Sequence, residues 1–155
     1  MSRAANTPLF TIGYEHATSP AVLDAIEQAG VQILVDVRAV AASRRPGFSK
    51  RQLAAGLDER GVAYLHLRAL GTPKEGRLAA RSGHHEDMLR IYDAHIATPS
   101  AREELDALTA LARSGKRLCL LCYEREPEHC HRLRLAQIVS KTLKMPVEHL
   151  FAMPA

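Results

Sequence analysis

The sequence predicts a single three-layer α/β domain: a mostly parallel, open sheet of about five strands with helices on both faces. Three observations lead there. Short apolar runs alternate with helical patterns along all 155 residues. Two of those runs, 31–37 and 117–122, are apolar almost without interruption, as strands buried on both faces are. Chemistry-bearing side chains also gather just beyond the carboxyl ends of the runs, where open α/β sheets bind ligands.

The elements follow in order. Residues 9–12 read as a short strand ending at Gly13. Ser19 caps a helix with Pro20 at its first position, where a missing N–H costs nothing. Leu23 and Ile26 face inward, and Gly30 ends that helix. The second strand, 31–37, finishes in Asp36-Val37-Arg38. Ser49 and Gln52 have the spacing of a capping box for a helix that buries Leu53 and Leu57 and closes at Gly61. Residues 62–67 form a third strand. Glycine, proline and charge in 68–83 predict a long surface loop. A helix over 85–97 turns Met88, Ile91 and Tyr92 to one side. Ser100 and Glu103 give a second capping box, for a helix that buries Leu105, Leu108 and Leu111 before Gly115. The fourth strand is 117–122 and the last long helix 130–143, with Leu135, Ile138 and Val139 inward. Residues 147–151 follow Pro146 as an edge strand. Crossovers in such a sheet are right-handed.

At 46% hydrophobic and 25% charged, the chain has the balance of a globular domain. Its net charge of +4 is compatible with an anionic partner, a small molecule or nucleic acid, and is too weak to indicate a nucleic-acid binder by itself. From Arg38 to Leu57 the basic residues Arg38, Arg44, Arg45, Lys50 and Arg51 occur without an acidic one. No apolar run is long enough to span a bilayer, so no membrane partner is expected. The N-terminal residues lack the apolar core of a signal peptide. Three cysteines without a framework spacing suit a reducing compartment, and a cytoplasmic location is expected.

Three strand ends share one edge of the sheet. The first contributes Tyr14, Glu15 and His16, the second Asp36, Arg38, Ser43 and Arg44, and the fourth Cys122, Glu124, Cys130, His131 and Arg132. Cys130 stands at a helix N-terminus, where unpaired N–H groups, His131 and Arg132 favour a thiolate. It is a reactive thiol or a small residue filling a tight turn. The phosphate-cradling cysteine loop of tyrosine phosphatases is absent: at its arginine spacing, Cys130 is followed by Ala136 and Cys122 by Glu128. Cys119 and Cys122 resemble a redox pair, but on a strand they point to opposite faces, which leaves Cys119 in the core. Zinc is a further reading, with Cys122, Cys130 and either His129 or His131 as three ligands and a fourth from elsewhere. The leading reading assigns no metal and no cofactor.

Asp36 and Arg38 lie on the same side of their strand. Asp36 either orients an arginine toward an anion or ties down the loop. The segment Ser43-Arg44-Arg45-Pro46-Gly47-Phe48 can hold a phosphate and stack a base, or it is a solvated basic loop. His16 has the position of a general acid or base, or it is a structural hydrogen-bonder. Glu124 pairs with an arginine or does acid–base work.

These residues also carry a resemblance. Ile12-Gly13-Tyr14 with His16, Val35-Asp36-Val37-Arg38, Ser43-Arg44-x-Pro46-x-Phe48, Tyr64, Leu70-Gly71, Cys122-x-Glu124 and Cys130-His131-Arg132 occur in one order. From about residue 9 to about residue 145 the chain resembles the bacterial and archaeal family known as domain of unknown function 488. The resemblance implies a single α/β domain and brings no established activity. Relatives carry Gly-His-Ser or similar after the first strand. Here Gly13-Tyr14-Glu15-His16 stands instead, so His16 would take that histidine's part.

The leading expectation is an enzyme acting on a phosphate-bearing substrate, a nucleotide or nucleic acid. Arg38, Arg44 and Arg132 hold the anion, Cys130 is nucleophile or polar contact, and Glu124 or His16 carries the proton. Tyr14, Asp36, Ser43, Phe48, Cys122 and His131 complete the ligand-binding set. The alternatives are a non-catalytic nucleotide or nucleic-acid binding module and a zinc-stabilised structural domain.

Overall fold

The computed structural model describes residues 7–154; the segment 1–6, which carries most of the N-terminus expected to lack a signal peptide, lies outside them. Five strands, β1 (Leu9–Gly13), β2 (Ile33–Asp36), β3 (Ala63–His66), β4 (Leu118–Cys122) and β5 (Val147–Leu150), form one sheet in the order β3-β2-β4-β1-β5. Every neighbouring pair is parallel. The central strands β1 and β4 are buried along their whole length, which is why their sequences are apolar runs rather than alternations.

Strand parity divides the interior into two layers. Phe10, Ile12, Leu34, Cys119 and Leu121 pack with Val22, Leu23 and Ile26 of α1 (Ser19–Gln28) and Leu53 and Leu57 of α2 (Lys50–Glu59). Leu9, Val35, Leu118 and Leu120 pack on the other face. There they meet Met88 and Tyr92 of α4 (His85–Ile96), Leu105 and Leu108 of α5 (Pro99–Arg113), and Leu135 and Val139 of α6 (His131–Leu143). Cys119 is fully buried in the first layer, as its parity requires. Among the described residues no helix is long and apolar enough to cross a membrane.

Segment 68–83 is not a loop. A helical turn at Arg68–Leu70 leads into helix α3 (Lys74–Arg81). The glycine that suggested a loop is a packing device. A Cβ on Gly76 would lie 2.5 Å from Thr72 Cγ2, so the turn before α3 folds this closely against the helix only because the backbone there is bare.

The capping residues also differ from expectation. Thr18, not Ser19, precedes α1 and accepts from Ala21 N. Thr98 precedes α5, with Pro99 at its first position. Neither expected capping box forms. Ser49 precedes α2, but its hydroxyl clamps the preceding loop, accepting from Ser43 N (3.0 Å) and donating to Ser43 O (3.1 Å). Glu104, one residue beyond the expected partner of Ser100, accepts from Ala69 N instead.

Candidate functional site

Strand β4 carries Cys122 to the carboxyl edge of the sheet, and the chain then crosses to α6 through a short turn at Pro127–His129. Arg132 holds that crossing in place. Its guanidinium is fully buried and donates to Thr11 Oγ1 (3.2 Å), the Glu124 carbonyl (2.5 Å) and the Arg125 carbonyl (3.2 Å). Gly13 lies directly beneath, where a Cβ would come 1.7 Å from the Glu124 carbonyl oxygen. From the other side Arg125 N donates to Glu15 Oε1 (3.0 Å). The crossing is therefore fixed at several points, which sets where Glu124 and Cys130 stand.

Those residues open onto a cavity of about 410 Å³. Cys122, Glu124, Cys130 and His131 line one part of it, and Tyr14, Arg38, Arg77, Arg81 and Tyr123 line another. The His131 ring connects the first group. Its Nε2–H donates to the Val37 carbonyl (2.9 Å), which leaves Nδ1 facing the thiols, 3.7 Å from Cys122 Sγ and 3.8 Å from Cys130 Sγ. Glu124 Oε2 is 3.7 Å from Cys122 Sγ.

The electrostatics polarise this group. The hydrogen bond with Cys130, together with burial, pushes the Cys122 thiol well above its ordinary range. Burial alone would raise Cys130 too. The hydrogen bond from Cys122 and the charges of His131 and Arg132 outweigh it and hold Cys130 well below the ordinary thiol range. Burial works against the charged form of His131, but the Cys130 thiolate raises it overall. Burial, reinforced by Cys130, brings the Glu124 carboxyl up to about 7. One low thiol, one high thiol, an imidazole held above its ordinary range and a carboxyl titrating near neutrality thus share one wall.

Asp36 is fully buried and has no spare oxygen. It accepts from Arg38 Nε (2.9 Å), Nη2 (2.7 Å) and backbone N (3.1 Å), and from the Tyr64 hydroxyl (2.6 Å). The carboxylate therefore orients Arg38 and does not touch the cavity. Arg38 Nη1 donates to Tyr14 Oη (3.2 Å) and the Phe48 carbonyl (2.8 Å), and the guanidinium faces the cavity with its remaining donor capacity. Tyr64→Phe removes one bond to a buried carboxylate. It is expected to lower unfolding free energy by about 1–2 kcal/mol in a denaturant titration.

Several expected site residues stand elsewhere. Phe48 is buried, with its ring stacked on Tyr14 at 4.4 Å, so it offers no face to a base. The Ser43 hydroxyl accepts from Arg45 N (3.1 Å) and serves the loop. Arg44 is exposed and, like Ser43, does not border the cavity. His16 adopts left-handed backbone (φ 62°), its side chain is 70% exposed, and it points toward Glu15 rather than the thiols. Arg132, expected to hold an anion, spends its donors on backbone carbonyls and Thr11 because the crossing needs them.

The structure adds residues that sequence reasoning missed. Arg77 and Arg81 reach the cavity from α3, joined by Thr72 and Met88. Their signal was the four-residue spacing of two arginines among strong helix formers after Pro73, masked by Gly76. Tyr123, 42% exposed, meets the edge of Tyr14 and gives the cavity an accessible aromatic face.

The family model for the domain of unknown function DUF488 matches residues 18–139. The chain belongs to the DUF488 family. The matched span of this DUF488 chain takes in β2, β4 and every residue of the thiol cluster, while β1 and β5 lie outside it. No curated protein and no solved structure matches the sequence.

Proposed function

We propose that this DUF488 protein is an enzyme acting on a phosphate-bearing substrate, a nucleotide or nucleic acid, in the cavity beside Cys130. The observation that carries the reading is the meeting of the Cys130 sulfur with the His131 imidazole in the same cavity as Arg38, Arg77 and Arg81. The arginines hold the phosphate, and Tyr123 offers a face to an aromatic base. Because the phosphatase loop is absent, the phosphate is a handle and the reacting centre is an electrophilic carbon. The Cys130 thiolate forms a bond to that carbon while the bond to the leaving group breaks. The Glu124 carboxyl supplies the leaving group's proton. The two other cysteines are also free thiols, which suits a reducing, cytoplasmic setting.

A binding module would need the basic wall but not a polarised thiol pair, and this favours the enzyme. Iodoacetamide labelling of chelator-treated protein tests it. Cys130 is expected to react faster than Cys119, to stay reactive below the pH range of an ordinary thiol, and to be slowed by nucleoside monophosphates. Equally sluggish labelling of all three cysteines would overturn the reading. Salt-dependent nucleotide binding that survives Cys130→Ser, without such labelling, would favour the binding module.

A further inference from the structure

Cys122 Sγ, Cys130 Sγ and His131 Nδ1 lie within 4.8 Å of one another. The nitrogen is 3.7 Å from one sulfur and 3.8 Å from the other. A tetrahedral zinc ion bonded at about 2.3 Å to sulfur and about 2.0–2.1 Å to nitrogen holds those ligand atoms about 3.6 Å apart. Both sulfur-to-nitrogen separations therefore stand close to those that one such ion imposes, with the two sulfurs within 4.8 Å of each other. A hydrogen bond accounts for this less well, since Nδ1, whether it carries a proton or a lone pair, makes one linear bond and not two at the same distance.

Orientation points the same way. The Nε2–H of His131 is tied to the Val37 carbonyl, the outer contact that fixes tautomer and ring direction in histidines that bind metals. Thiolate and imidazole donors together select a zinc-class ion over calcium or magnesium.

We propose that Cys122, Cys130 and His131 bind one thiophilic divalent cation of the zinc class, with a fourth coordination position open to the cavity. Structural zinc sites are closed by four protein ligands. This group has three among the described residues, and the cavity beside it is lined by Arg38 and Glu124. The fourth position takes water or an oxygen of the bound anion. His129, the other histidine its spacing offers, stacks on His85 at 4.8 Å and is not part of the group. This inference rests on the cavity described above and not on Cys130 acting as nucleophile: a sulfur bound to the ion is no longer free to attack.

The test is a Co²⁺ titration of the chelator-stripped full chain, followed by the thiolate-to-cobalt charge-transfer band and the visible bands of a four-coordinate ion. Saturation at one equivalent, displacement by Zn²⁺, and loss of the band in Cys122→Ser and His131→Gln are expected. His129→Gln and Cys119→Ser should titrate as the parent does. Bound Zn²⁺ should also abolish iodoacetamide labelling of Cys130. Absence of a charge-transfer band in the parent protein at saturating Co²⁺ would overturn the proposal whether or not the variants fold. So would a band that persists in both Cys122→Ser and His131→Gln. Labelling of the stripped protein is read separately. Unreactive thiols with a cobalt band end the nucleophile reading alone, and reactive thiols without a band end the cation site alone.

Discussion

Replacing Arg132 with Met is expected to lower unfolding free energy by about 3 kcal/mol or more, and to remove the labelling advantage of Cys130. The guanidinium is fully buried, and its partners are Thr11 Oγ1 and the carbonyls of Glu124 and Arg125. A thioether of similar length fills much of the space but donates nothing. Each buried acceptor left without a donor costs about 1–3 kcal/mol. The freed carbonyls belong to the segment that positions Glu124 and Cys130, so the effect on the site accompanies the effect on stability. Arg132→Lys keeps the charge and loses the planar fork, and should fall between parent and Met variant. Denaturant midpoints with matched alkylation rates measure both effects. A Met variant within about 0.5 kcal/mol of the parent would remove Arg132 from this role.

Gly13→Ala is the second large effect. The added methyl carbon would lie 1.7 Å from the Glu124 carbonyl oxygen and 2.5 Å from its carbon. Both are backbone atoms of a segment already fixed by Arg132 and Glu15, so no flexible side chain can swing aside. Relief requires β1 and the crossing to separate, at a cost of about 3 kcal/mol. Because Gly13 pairs with Cys122 in the sheet, the displacement also draws Glu124 away from the thiols. Loss of phosphate protection in the labelling assay, together with a lower denaturant midpoint, is the expected pair of results. Parent-like values for both would show that the crossing is not fixed as described.

Much of this architecture is legible in the sequence, and the exceptions have physical causes. Residues 117–122 read as a buried strand, and 118–122 form it, because a strand covered on both sides needs no polar position. The same parity argument separates Cys119 from Cys122. Gly76 misled because a glycine that lets a turn fold closely against its own helix looks the same in sequence as one that ends a helix. Arg132 misled for a different reason. A charged side chain is assumed to seek solvent or a ligand, but its partners here are mostly backbone carbonyls, which every residue has and no sequence pattern marks. Phe48 and Ser43 lie in a segment whose composition suits a ligand loop, whereas their bonds and stacking show that it wraps Arg38 and Tyr14. The convergence of Cys122, Glu124, Cys130 and Arg38 on one cavity follows from their places at the ends of parallel strands.

The strand order also bears on how the polypeptide reaches its native state. β1 and β2 are made early but are not neighbours; β4, which begins at Leu118, lies between them. Until that stretch leaves the ribosome, the first half of the protein holds two apolar ribbons with no shared ladder to close them. Fragments ending before Leu118 should therefore stay protease-sensitive, and refolding should be slow for a chain of this size, because its central pairings join residues far apart in sequence.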